Sequence, residues 1–116
     1  PVIIHSREAA EETMKILTET KAYDCGGVIH CFSYSPEMAK QYVEMGFYIG
    51  VGGVVTFKNA KKLVQTVEEI PLEALVLETD CPYLAPEPYR GNATIPPGWS
   101  GWRRRSRSGR GSPYRR

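Results

Sequence analysis

Apolar and polar positions alternate in two rhythms along the first ninety residues. Four short runs, Val2-Ile3-Ile4-His5, Gly27-Val28-Ile29-His30, Phe47 to Val51 and Leu75 to Thr79, are rich in β-branched and aromatic side chains and have the length of buried strands. Helical spacing fills the gaps between them. Ala9, Ala10, Thr13, Met14, Ile16 and Leu17 share one helical face, with Ser6 placed to cap that helix and Glu8 in its first turn. Ser35-Pro36-Glu37 supplies a cap, a proline at the first helical position and an acid, followed by the stripe Met38, Ala39, Tyr42, Val43, Met45 and a stop at Gly46. Phe57, Ala60, Leu63, Val64 and Val67 form the third stripe, closed by Pro71. Gly52-Gly53 ends the third strand with backbone that can turn tightly or approach a ligand.

Strand and helix patterns in strict alternation imply a parallel sheet with right-handed crossovers. Four strands are half of a closed β/α barrel, which takes about 250 residues against the 116 present here. The chain starts at Pro1, and it reads as a piece of a longer protein. An isolated half-barrel leaves apolar edges that closure would cover, so low stability is expected of it.

Three of the four strands end on a metal-capable side chain: His5, His30 and Asp80. Parallel strands open all their C-terminal ends on one face, so these residues are expected to converge on one mouth. Neutral imidazole and carboxylate are usual ligands of Zn²⁺ and related divalent ions. Each position also has a plainer reading. A histidine at a strand end is more often a hydrogen-bonded structural residue, and Asp80 could cap a turn. Glu78 faces away from Thr79 in a regular strand, which suits a supporting or ion-pair role better than ligation. Cys31 and Cys81 follow the candidate ligands and read as structural thiols. Lys58, Lys61 and Lys62 read as a solvated helix face, whereas Arg7 and Arg90 follow strand ends and could grip phosphate bidentately.

Charge splits the sequence in two. Residues 1 to 89 carry 13 acidic and 7 basic side chains, and residues 90 to 116 carry 8 arginines and no acid. The Arg/Ser/Gly run beyond about Thr94 lacks apolar periodicity and is expected to be disordered. Three cysteines, none in a Cys-x-x-Cys pair, favour reduced thiols and a cytoplasmic protein. No apolar run approaches the ~18 residues that would suggest a membrane span.

Four motifs together point to a family. Ile4-His5-Ser6-Arg7, Gly27-Val28-Ile29-His30-Cys31-Phe32-Ser33, Met45-Gly46-Phe47-Tyr48-Ile49-Gly50 and, most specifically, Leu77-Glu78-Thr79-Asp80-Cys81-Pro82-Tyr83-Leu84 resemble the TatD family of metal-dependent deoxyribonucleases. The resemblance covers residues 1 to about 90. It implies the C-terminal half of a TIM-like (β/α)8 barrel of the amidohydrolase-like superfamily, and cleavage of DNA phosphodiester bonds at a two-metal site holding Zn, Mg or Mn. His5 and His30 would bind one ion and Asp80 the other, Asp80 also activating the attacking water. A His-x-His pair and a bridging Glu would come from upstream of Pro1, so the chain alone is expected to be inactive. A related metallohydrolase acting on another ester or amide is the alternative enzyme, since one ligand set serves several reactions. A non-catalytic chain binding nucleic acid through its arginine-rich tail is the alternative from another class. The oligomeric state is left open. Two departures stand out. Tyr34 replaces the glycine that usually follows His-Cys-Phe-Ser, and is expected to narrow the substrate entrance. Asn92 to Arg116 replaces the expected Asn-Glu-Pro and final helix, a change that a shifted reading frame would produce; residues 1–91 are therefore taken as barrel and 92–116 as tail.

Overall fold

The computed structural model describes residues 1–93. Four strands, β1 (Val2–His5), β2 (Gly27–His30), β3 (Phe47–Val51) and β4 (Leu75–Leu77), lie in sequence order in one sheet, and every neighbouring pair is parallel. Helices α1 (Ala10–Glu19), α2 (Pro36–Glu44) and α3 (Lys61–Glu69) make the crossovers. The first three strands span the runs expected from the hydrophobic pattern; β4 stops at Leu77, two residues early, where the chain turns toward Asp80.

Register decides which side chains share a face. Ile3 pairs with Val28, Ile4 with Ile29 and His5 with His30, while Val28 is level with Tyr48 and Ile29 with Ile49. Ile29 and Ile49 are buried, together with Ala39 and Tyr42 of α2 and Leu63 and Val67 of α3, so the helix side of the sheet is the core. Side chains alternate across a strand. Ile3, Val28 and Tyr48 therefore face the other way, and Ile3 is 80% exposed there. His5 and His30 belong to this open face, at its C-terminal rim.

Rings build much of the core. Phe32, Tyr42 and Phe47 meet edge to face with centroids 6.4 Å apart at each step, the arrangement that aromatic quadrupoles favour. Ser35 caps α2 as its sequence suggests, its Oγ accepting from the Met38 N–H at 3.3 Å with Pro36 at the helix start. The first helix departs from expectation. It starts at Ala10 with no side-chain cap, Ile16 on its expected apolar face is exposed, and Ser6 does not cap it. Glu8 has φ 54°, in the left-handed region, so the chain cannot run helically from Ser6 into the first turn. Phe57 and Ala60 are buried but precede α3, because Gly53–Thr56 forms a separate 3₁₀ turn. Lys58, Lys61 and Lys62 are exposed as expected, and among the described residues Cys25, Cys31 and Cys81 form no disulfide. The arginine-rich run beyond about Thr94, expected to be disordered, lies outside the described residues.

Candidate metal centre

The open face of a twisted parallel sheet is narrow at its rim, and glycine there makes room for a longer neighbour. Gly50 is one step beyond Ile49 on β3, level with His30. A Cβ on Gly50 would lie 2.7 Å from Glu78 Cδ, so the Glu78 carboxylate occupies the space that a side chain would take. From there it reaches two donors on the next strand. His30 Nδ1–H and the Cys31 backbone N–H both donate to it.

This contact settles the chemistry of the imidazole. With Nδ1–H committed to Glu78, Nε2 is the nitrogen turned to Asp80, whose Oδ1 lies 2.9 Å away. Without a metal, protonation of Nε2 lets the ring donate to Asp80 as well; a divalent ion would take the Nε2 lone pair in place of that proton. Burial pushes the His30 pKa down, but hydrogen bonds and charge from Glu78 and Asp80 outweigh it, and the net displacement is upward from 6.5. The same carboxylates act on Cys31. Burial first, then the Asp80 and Glu78 charges, push its thiol up to about 11, which keeps it protonated and suits a structural role.

His5 stands beside this pair, its ring centroid 5.7 Å from that of His30 at an interplanar angle of 45°. The structure thus brings His30 and Asp80 into direct contact and sets His5 next to them. Among the described residues no group of three His, Cys, Asp or Glu side chains is arranged to hold a metal ion by itself. The donor set nevertheless fits a divalent ion: an imidazole oriented through its far nitrogen by a carboxylate is the usual support of a metal-binding histidine. His30 Nε2, Asp80 and His5 are the groups that would hold it.

Arg7 is exposed on the loop after β1. Arg90 lies with its guanidinium carbon 4.3 Å above the Phe57 ring, and the Glu87 N–H donates to Thr56 Oγ1 at 2.8 Å, so the segment after β4 rests on the loop after β3. Tyr34, expected at the substrate entrance, is tied to the loop after β1. Its hydroxyl is turned inward to Ser6 Oγ at 2.8 Å. Glu78 has the supporting role that its strand position suggests, and Gly50, the last residue of the Met45–Gly50 motif, makes the room for it. The signal for both was parity: Glu78 and Asp80 are two apart, and Gly50 is the one residue without a side chain at the level of His30.

Comparison with known proteins follows the same lines. The family model described as TatD related DNase matches residues 1–99. The uncharacterized metal-dependent hydrolase YabD of Bacillus subtilis is 50% identical over 96 residues, which are 83% of this chain and 38% of YabD. Its counterpart YcfH of Escherichia coli K12 is 49% identical over the same length, 36% of that protein. The crystal structure of YJJV, a TatD homologue from Escherichia coli K12, superposes with a TM-score of 0.86 at 32% identity, covering 97% of this chain and 43% of YJJV. An uncharacterized amidohydrolase from Saccharomyces cerevisiae shares the fold at a TM-score of 0.64 and 22% identity. The parallel sheet is thus part of a barrel of this class, and the chain spans well under half the length of these relatives.

Proposed function

The chain belongs to the TatD-related DNase family, and from that premise we propose that it is the C-terminal half of a metal-dependent hydrolase that cleaves DNA phosphodiester bonds at a two-metal site. The observation that carries this reading is His30 held between Glu78 and Asp80 at the C-terminal rim of a parallel sheet, with His5 alongside. The remaining ligands would come from the part of the barrel outside this chain.

Divalent ions, Zn, Mg or Mn, would supply a Lewis acid for the phosphoryl group. The chain's own residues do the rest. Glu78 keeps the Nδ1 proton of His30 in place, so Nε2 is the nitrogen offered to the ion. Asp80 is a carboxylate at the same point and takes the proton from the attacking water as general base. Arg7 and Arg90 serve as phosphate grips. Arg90, its guanidinium carbon 4.3 Å above the Phe57 ring, is exposed and carries the planar fork that suits bidentate binding of a phosphate. DNA is the substrate that the family description supports, and three cysteines outside any disulfide support a cytoplasmic location. No described helix is long and apolar enough to cross a membrane.

The test is made in the complete protein. Chelation of divalent ions should abolish cleavage of a DNA substrate, and re-addition of Zn²⁺, Mg²⁺ or Mn²⁺ should restore it. Asp80→Asn should lower the rate by about 10² to 10⁴, the worth of a positioned general base, while the bound metal falls only partly. A variant that turns over at near-normal rate removes Asp80 from the chemistry, and metal-independent cleavage overturns the reading.

A further inference from the structure

The residue after β1, Ser6, is only 7% exposed, whereas its neighbours His5 and Arg7 are both exposed. Ser6 therefore points into the protein and the two functional candidates point out. What holds Ser6 there is a chain of hydroxyls whose direction is fixed by counting protons. Thr13 has one hydroxyl proton and donates it to the Ala9 carbonyl at 2.6 Å. Thr13 Oγ1 must then accept from Ser6, 2.9 Å away. Ser6, its proton spent, must accept from Tyr34, at 2.8 Å. The Tyr34 oxygen in turn accepts the Ala9 N–H at 3.3 Å. Every donor and acceptor has a single role, and the chain starts and ends on the backbone of Ala9.

Between the two anchored residues lies Glu8 at φ 54°, a conformation that residues with a Cβ adopt only when their surroundings impose it. Tyr34 imposes it from both sides, at Ser6 and at Ala9. Tyr34 is itself braced, edge to face with the buried Phe32 at 6.0 Å and 84°. We propose that Tyr34 is a positioning residue: from the loop after β2 it locks the loop after β1 and so fixes the direction in which His5 and Arg7 face the mouth. The functional meaning of that direction rests on the proposed hydrolase site, but the lock itself does not.

The experiment reads the lock without catalysis. In Tyr34→Phe, which removes one oxygen, amide hydrogen exchange at Ala9 should quicken about tenfold or more, since the partly buried Ala9 N–H and the buried Ser6 Oγ each lose a partner. In the complete protein the ring signals of His5 and His30 are assigned by NMR with labelled histidine and single-histidine substitutions. Those of His5 should shift or broaden, while those of His30, held by Glu78 and Asp80, stay in place. Ser6→Ala should act on the same network, and the double variant should do little more than either single one. Unchanged exchange at Ala9 overturns the proposal. So does an equal disturbance of His30 and the β3 amides, which would mean a general loss of packing, or a loosened Ala9 with His5 unmoved.

Discussion

Glu78 lies so close over Gly50 that a methyl group there would stand 2.7 Å from its carboxyl carbon. The obstructing atoms are the far end of a flexible side chain, so the fold can yield by moving Glu78 aside. Gly50→Ala should therefore change stability little and cost function instead. With the Glu78 bonds to His30 and Cys31 displaced, affinity of the complete protein for its divalent ion should fall about 10- to 100-fold, as it does when a supporting carboxylate is lost. Isothermal titration beside a urea melt separates the two effects, and a large stability loss with normal metal affinity would contradict this.

Glu78→Gln leaves an acceptor for Nδ1–H but removes the charge. In the protein without added metal, the NMR midpoint of His30 should lie above 6.5 and should fall in the variant. The sign of the stability effect follows. A histidine whose folded pKa is raised contributes stability that is fully present below its unfolded value of 6.5 and is lost as pH rises through the folded midpoint. The stability gap between the native protein and Glu78→Gln should be widest in mild acid and narrow toward alkaline pH; a gap that widens with pH would refute the assignment.

Gly27 opens β2 against Val2 of β1. A Cβ at Gly27 would fall 2.0 Å from the Val2 carbonyl oxygen, and its φ of 157° adds strain. Here the obstacle is backbone in a paired strand, which cannot step aside alone. Gly27→Ala should cost more than about 3 kcal/mol in a denaturant titration, at the upper end for point substitutions, and should part His5 from His30.

Tyr42 is fully buried, and its hydroxyl has no hydrogen-bond partner among the described residues. Tyr42→Phe keeps the edge-to-face contacts with Phe32 and Phe47 and removes an unsatisfied polar atom. Stability should stay level or rise by about 1 kcal/mol. Burial also pushes the Tyr42 phenol up from 10, so the native protein should lose stability as pH rises past 10, where the unfolded chain ionises first, and the Phe variant should lose less. A loss of 2 kcal/mol or more in Tyr42→Phe would point to an unseen partner for the hydroxyl.

The sequence by itself determined the periods and the punctuation. Ile4, Ile29 and Ile49 share a parity that makes one sheet face apolar, Ser35-Pro36 starts α2, and Pro71 follows the end of α3. Those features depend on a residue and its near neighbours, where backbone period and steric rules act. The ends of the strands also placed His5, His30 and Asp80 on one rim, because parallel strands leave no other choice. Tertiary structure decided the pairings. Ser6 and Tyr34 are 28 residues apart, and Glu78 and His30 are 48 apart. A serine before a helical pattern carries the same local signal whether it caps that helix or turns inward to a tyrosine. Only the register of the sheet, which sets Gly50 beside His30 and opens a space for Glu78, and the left-handed turn at Glu8, which breaks the helix before it can begin, select between those outcomes.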